Sequence, residues 1–142
     1  FFGPVAVVGT TYVMTHEVTP LALVAALPMG CLITAILVVN NLRDIETDRA
    51  AGKQTLAVRL GRADTQREYA VLIVIAYLAP VVLWVTGMSA PWPMLAWATV
   101  PLAILLTRRV WTSDGRALNP VLGGTARLCL WFAVTFSAGL VL

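Results

Sequence analysis

One short charged segment of this sequence contains the residue types that could do chemistry. Between Asn40 and Leu56 it holds three acids (Asp44, Glu46 and Asp48), three bases and two adjacent asparagines. It directly follows a stretch, Val18 to Leu42, that has no charged residue. Charges at the mouth of a membrane-spanning helix are costly to place there and usually serve a function.

The spacing of these residues puts four polar side chains on one helical face. If the helix that ends near Leu42 continues for two more turns, they fall within an arc of about 100°: Asn40, Asn41, Asp44 and Asp48. Glu46 and Arg49 point away from that arc. Carboxylates at positions i and i+4 project side by side and repel each other unless a cation lies between them. Carboxylate and amide oxygens suit Mg²⁺, which also binds substrate phosphates.

The residues that follow allow two interpretations. Gly52 can end the helix, and Lys53 and Arg59 come after it, where bases could neutralise a phosphate group. Alternatively, the segment is a solvated loop whose charges serve solubility and membrane topology, because the pattern Asp-x-x-x-Asp is common by chance. Spacing alone leaves both interpretations open.

The composition of the chain indicates whether this segment belongs to a soluble protein or to a membrane protein. Hydrophobic residues make up 59% of the 142 residues, charged residues 12%, and the mean hydropathy is +0.84. Soluble domains have about 25% charged residues, so the sequence predicts an integral membrane protein. The net charge of +3 then reflects membrane topology, and no nucleic-acid partner is expected.

The apolar runs predict an all-α polytopic transmembrane helix bundle with about four full spans and one partial span. Tyr69 to Thr107 has no charged residue, and Thr86–Pro93 divides it because Gly and Pro punctuate helices. Asn119 and Pro120 predict a helix start, with Asn119 as the N-cap. The predicted spans are Val18–Leu42, Tyr69–Val85, Trp92–Thr107 and Asn119–Leu142, with Phe1–Met14 as the end of a further helix.

The basic residues predict the orientation. Six of the ten lie between Arg43 and Arg67, three are Arg108, Arg109 and Arg116, and the last is Arg127. By the positive-inside rule, the Arg43–Glu68 and Arg108–Arg116 loops are cytoplasmic. The sequence therefore predicts a multi-pass protein of the inner (cytoplasmic) membrane, with the charged segment on the cytoplasmic side.

The stretch Asn40–Gly61 resembles the second aspartate-rich motif of the UbiA superfamily of intramembrane aromatic prenyltransferases. Its form, with Asn-Asn before Arg-Asp and Gly-Lys-x-Thr-Leu after it, is similar to the 1,4-dihydroxy-2-naphthoate prenyltransferase branch. Phe1–Tyr12 resembles the segment before the motif helix of that branch, and Leu118–Leu140 resembles its last helix. The resemblance thus covers essentially the whole chain.

The resemblance implies a bundle of nine transmembrane helices in which two aspartate-rich motifs hold Mg²⁺ and the diphosphate of a polyprenyl donor. This sequence contains only the second motif. Residues 1–142 are therefore expected to be the C-terminal half of a single prenyltransferase domain. The missing N-terminal half would carry the first motif.

The implied activity is Mg²⁺-dependent transfer of a polyprenyl group from polyprenyl diphosphate to 1,4-dihydroxy-2-naphthoate. The acceptor loses CO₂ and gives demethylmenaquinone in its reduced, quinol form, in menaquinone biosynthesis. The resemblance assigns catalysis and metal binding to Asp44 and Asp48. The residues implied in diphosphate binding are Asn40, Asn41, Arg43, Lys53 and Arg59.

Other functions remain compatible with the sequence. A member of the same superfamily could act on another aromatic acceptor. The chain could also be a non-catalytic membrane or transport subunit. In a transport subunit the acids would belong to an ion path, and in a structural subunit they would lie in a loop without a catalytic role. Acids in the middle of a span would favour transport, whereas Asp44 and Asp48 lie at the mouth of a helix.

Overall fold

The computed structural model describes residues 1–142 and is helical throughout, with no strand. A π-helical turn, Pro4–Val8, and 3₁₀ segments at Trp92–Thr99 and Gly115–Leu118 precede three of the α-helices. The α-helices are α1 (Gly9–Thr15), α2 (Pro20–Arg43), α3 (Ile45–Ala50), α4 (Leu56–Leu60), α5 (Arg62–Val85), α6 (Val100–Thr112) and α7 (Asn119–Val141).

Four helical segments are long and apolar enough to cross a membrane: Pro20–Arg43, Arg62–Val85, Trp92–Thr112 and Gly115–Val141. A shorter apolar helix, Pro4–Thr15, precedes them. The prediction of an all-α polytopic bundle with four spans and one partial span is therefore confirmed, and the chain is a membrane protein.

Helix α2 begins with a conventional cap and crosses the first segment closely. The Thr19 hydroxyl accepts a hydrogen bond from the Ala22 N–H at 3.1 Å, and Pro20 occupies the first turn. A Cβ atom added to Gly3 would lie 2.2 Å from the Ala26 carbonyl oxygen, so only glycine fits there. Small residues at such crossings let helix backbones pack in a membrane.

Helix α5 begins at Arg62, about two turns before the predicted start at Tyr69. The additional turns carry charges, including an Asp64–Arg67 ion pair at 2.7 Å. The prediction followed the apolar run, whereas the helix continues beyond it into the polar region. Hydropathy marks the part of a helix that suits lipid, and it does not mark where the hydrogen-bonded ladder begins.

The predicted Trp92–Thr107 span consists of two kinds of helix. Its first half is the 3₁₀ segment Trp92–Thr99, and α6 follows as far as Thr112. Pro101 lies in the first turn of α6. Proline has no N–H and its ring crowds the carbonyl four residues earlier, which disfavours a continuous α-helix here. Pro28 and Pro80, by contrast, lie inside α2 and α5 without ending them.

The core lies where α2 packs against α5 and α7, and where the Trp92–Thr99 segment packs against α7. Phe132 is fully buried, with its ring edge-to-face with Tyr77 at 5.2 Å. Buried polar groups are paired, as where the Tyr69 and Thr125 hydroxyls hydrogen-bond at 3.1 Å. These contacts fix α5 against α7. Helix α2 packs against both, with its polar end next to the start of α7.

Candidate active site

The charged segment forms a continuation of α2 that is distorted at Asp44. This residue ends α2 and precedes α3, with φ −98° and ψ 7°. The ladder nevertheless continues, since the Asp44 N–H donates to the Asn40 carbonyl at 3.2 Å and the Asp48 N–H donates to the Asp44 carbonyl at 2.8 Å. The predicted extension of the helix beyond Leu42 is confirmed, with a break in its regularity at Asp44.

Gly52 ends this extension, as predicted, in a Schellman motif. It has φ +74°, and its N–H donates to the Arg49 carbonyl at 3.1 Å. The Lys53 N–H donates to the Asp48 carbonyl at 2.9 Å. This turn brings Lys53 back over the helix that it has just left.

Asp48 is the buried acid of the segment, with 12% of its side chain exposed. Lys53 Nζ donates to Asp48 Oδ1 at 2.9 Å, while the lysine side chain remains 65% exposed. This hydrogen bond, with the attraction of Asp48 and Asp44, raises the pKa of Lys53 above its ordinary value. The lysine therefore remains charged next to the two carboxylates.

Asp44 is held by the residue that precedes it. Arg43 Nε donates to Asp44 Oδ1 at 2.8 Å, and Arg43 Nη2 donates to Oδ2 at 2.6 Å, which makes a bidentate pair. The hydrogen bonds from Arg43 lower the pKa of the Asp44 carboxyl. Each carboxylate of the motif thus has its own counterion, Arg43 for Asp44 and Lys53 for Asp48. Asp44 is ionised at neutral pH.

Glu46 and Arg49 form a separate, exposed ion pair. Arg49 Nη1 donates to both Glu46 carboxylate oxygens at 3.0 Å. This pair agrees with the prediction that both residues point away from the arc, although Glu46 borders the same polar cavity as Asp44.

Arg43 also connects α2 to α7. Its Nη2 donates to Asn40 Oδ1 at 3.0 Å, and its Nη1 donates to Asn119 Oδ1 at 3.2 Å. The prediction that Asn119 is the N-cap of α7 is wrong: Leu118 occupies the N-cap position and no side chain caps the helix. The 3₁₀ turn before α7 brings Asn119 into the helix and towards α2, a long-range contact that the local sequence does not indicate.

The two asparagines line different cavities on neighbouring sides of α2. Asn40 and Asn119 line a cavity of about 660 Å³ between α2 and α7, whose other walls are mainly apolar. Asn41 lines a smaller cavity of about 130 Å³ between α2, α4 and α5, together with Thr65 and Glu68. Leu37 lies in the wall of both cavities. The four residues predicted on one face therefore share one end of α2, but they do not line a common pocket.

Asp44 borders a third cavity, which is polar and measures about 570 Å³. Its walls include Arg62, Asp114 and Arg116. Arg62 pairs with Asp114 and donates to the Ser113 carbonyl, which fastens the start of α5 to the loop before α7. Asp114 is thus part of a contact between α5 and the loop before α7.

The remaining predicted residues stay apart from the two carboxylates. Arg59 is exposed on α4 and makes no ion pair. The structure contains no group of three or more His, Cys, Asp or Glu side chains that could hold a metal ion. Cys31 and Cys129 are free thiols. A metal bound by Asp44 and Asp48 therefore stays a prediction.

Comparison with known proteins identifies the family. The model of the UbiA prenyltransferase family matches residues 1–132. A protein of Mycobacterium tuberculosis named 1,4-dihydroxy-2-naphthoate octaprenyltransferase is 40% identical over 99% of this chain and 47% of its own length. The Escherichia coli protein of that name is 34% identical over 100% of this chain and 46% of its own length. Human UbiA prenyltransferase domain-containing protein 1 is 32% identical over 99% of this chain and 40% of its own length.

No solved structure matches the chain. The chain spans about half the length of the curated bacterial relatives that it matches. The matched region includes the whole Asn40–Gly61 segment, with its paired carboxylates at the end of a spanning helix. This chain belongs to the UbiA prenyltransferase family.

Proposed function

We propose that the complete protein transfers a polyprenyl group from polyprenyl diphosphate to 1,4-dihydroxy-2-naphthoate, with loss of CO₂, and that residues 1–142 are the C-terminal half of its single domain. One observation carries the proposal: two counterion-held carboxylates follow a spanning helix whose last turn, at Asn40, borders an apolar-walled cavity. The names of the bacterial relatives support the acceptor.

The shape of this region suits a donor with a polar head and a long apolar tail. Leu23, Leu27 and Leu37 are about half exposed along α2. At about 100° per residue they lie on the side of α2 that leads to Asp44 and Asp48. A prenyl chain could lie along these leucines while its diphosphate reaches the charged end.

The chemistry of the donor set fits Mg²⁺. Asp44 and Asp48 offer carboxylate oxygens, Asn40 and Asn41 offer amide oxygens, and Mg²⁺ uses one or two protein carboxylates together with water and phosphate. Bound Mg²⁺ would supply charge neutralisation of the diphosphate as it leaves. Lys53 and Arg59 follow Asp48 in the chain and are proposed to contact the diphosphate, together with the asparagines.

The protein side of the reaction then follows from charge and water exclusion. Cations and amides at the end of α2 bind the diphosphate and orient its C–O bond. The apolar walls of the cavity keep water from the allylic cation that forms when this bond breaks. The electron-rich ring attacks that cation through the ring carbon that bears the carboxylate, where a new C–C bond forms. The electrons of the bond to the carboxylate then restore the aromatic ring as CO₂ leaves.

The experiment measures prenyl transfer and decarboxylation together. The complete protein, given a polyprenyl diphosphate, Mg²⁺ and dihydroxynaphthoate labelled in its carboxylate, is expected to release one labelled CO₂ for each product formed. Residues 1–142 alone are expected to form no product, because two carboxylates cannot complete a two-motif site. Product from another aromatic acceptor only would reassign the substrate, and turnover by residues 1–142 would overturn the half-domain proposal.

We propose further that the protein lies in the cytoplasmic membrane with the α2–α5 connection facing the cytoplasm. The six bases between Arg43 and Arg67 support this orientation. Labelling of single cysteines in a cysteine-free variant tests it. Arg59→Cys is expected to react only from the cytoplasmic side, and Ser89→Cys, in the turn after α5, only from outside. Reaction of Ser89→Cys from the cytoplasm alone would contradict the proposed orientation.

A further inference from the structure

We infer that Asn119, the first residue of α7, is a positioning residue of the proposed active site, acting on Asp44 through Arg43. The inference rests on the proposed function, because it assigns Asn119 a role towards the metal–diphosphate site. It also changes the expected role of Arg43 from a direct diphosphate contact to an organiser of the other side chains.

The hydrogen bonds of Arg43 support this change. A guanidinium group has five N–H donors, and four of its bonds are internal: two to Asp44, one to Asn40 and one to Asn119. A bidentate grip on a phosphate needs two parallel N–H groups. Arg43 could offer that grip only by releasing side chains that it now holds.

Asn119 provides the connection from outside the motif. It lies 76 residues from Arg43 in the sequence and accepts the Nη1 bond at 3.2 Å. It also borders the same cavity as Asn40. Asn40 and Asn119 thus hold the guanidinium from two helices, while the bidentate pair fixes the Asp44 carboxylate. Without Asn119, the long Arg43 side chain gains rotamer freedom, and the orientation of Asp44 becomes less defined.

Arg43 has the place of an outer partner that orients a metal ligand, and removal of such a partner typically costs about 10–100-fold in metal affinity or activity. Asn119 acts through Arg43, so the effect of its removal is expected at the low end of that range. We therefore expect Asn119→Ala to raise the Mg²⁺ concentration for half-maximal activity of the complete enzyme roughly tenfold. Asn119→Asp is expected to stay near the wild type, because a carboxylate oxygen can accept the same bond from Arg43. Thr112→Ala is the matched control, since Thr112 is exposed near the start of α7 and bonds within its own helix.

Calorimetry of Mg²⁺ binding to the substrate-free enzyme provides a second readout that does not depend on turnover. The same order is expected there, with Asn119→Ala weakest. A lower yield of Asn119→Ala with unchanged Mg²⁺ affinity would show a merely structural role and overturn the inference. If Asn119→Ala does not fold, Asn119→Ser replaces it, because a serine hydroxyl is too short to reach Arg43.

The two proposals fail in different ways. A wild-type enzyme that forms no prenylated product contradicts the proposed function, whatever Asn119 does. An active wild type whose Asn119→Ala variant keeps normal Mg²⁺ affinity and activity contradicts only the role of Asn119.

Discussion

The ion pairs of the two carboxylates at the end of α2 differ from the hydrogen bonds inside the bundle in reach and in exposure. At the end of α2, Asp44 pairs with the adjacent Arg43, and Asp48 pairs with Lys53, five residues away. Inside the bundle, Tyr69 bonds Thr125 and Gln66 bonds the Val110 carbonyl, over 56 and 44 residues. The first group has partners that water can reach, the half-buried Arg43 and the exposed Lys53, whereas the second group is buried.

This difference separates contacts that can be exchanged from contacts that hold the fold. A carboxylate whose lysine or arginine partner is accessible to water can also bind a metal ion, because its two oxygens have about four lone-pair sites and water replaces any bond to the partner that is lost. A buried hydroxyl has no such replacement, so breaking its bond costs about 1–3 kcal/mol. We therefore expect substitutions at the end of α2 to change activity more than stability, and substitutions in the interior to do the reverse.

The largest effect is expected at the two carboxylates. In the complete enzyme, Asp44→Ala or Asp48→Ala should lower kcat/KM by at least about a hundredfold, because metal binding stabilises charge by several kcal/mol. Neither change should lower the thermal stability of the metal-free protein by more than a few degrees. Glu46→Ala is the control, since Glu46 pairs only with Arg49 in solvent. An equal loss in Glu46→Ala would show that the two sides of this helix do not differ in function.

The next effect tests the interior. A Cβ atom at Gly139 would lie 2.3 Å from the Trp92 carbonyl oxygen, whereas one at Gly123 meets nothing within 4 Å. Gly139→Ala should destabilise the protein by about 1–3 kcal/mol through overpacking. Gly123→Ala, in the same helix, should be neutral or stabilising because alanine favours helix. Thermal unfolding of both variants in detergent measures this contrast, and equal midpoints would show that α7 can move away from Trp92.

The sequence predicts this fold well because lipid imposes strict rules. Long uncharged runs and their interruption by Pro and Gly predict all four spans. The errors lie at helix ends, as at Tyr69 and Asn119, where tertiary packing decides. Pro101 does not by itself indicate the change from 3₁₀ to α-helix, because Pro28 and Pro80 lie inside the continuous helices α2 and α5.

The site was less predictable from the sequence. Helical spacing correctly separated Glu46 from Asp48, because one regular period relates them. It did not indicate that Asn40 and Asn41 line different cavities, or that α7 supplies Asn119. Those facts depend on how α2, α5 and α7 pack together, and residues 76 positions apart leave no local pattern.

The smallest effect concerns pH and sharpens the contrast between exchangeable and buried contacts. Arg43 lowers the pKa of Asp44 below its ordinary value of 3.8. A lowered carboxyl pKa stabilises the fold above the unfolded-state pKa, and this contribution is lost as the pH falls through the folded-state pKa. Because 35% of the Asp44 side chain is exposed, the contribution should be only a few tenths of a kcal/mol.

The measurement compares the free energies of unfolding of the wild type and Asp44→Asn from pH 6 down to acid conditions. The difference between them should be constant above about pH 5 and should shrink below the ordinary carboxyl pKa. Glu46→Gln serves as the control for an exposed pair. A large difference, on the scale of a buried pair, would show that Arg43 and Asp44 form a fixed part of the scaffold. They would then be poorly suited to exchange with a metal ion.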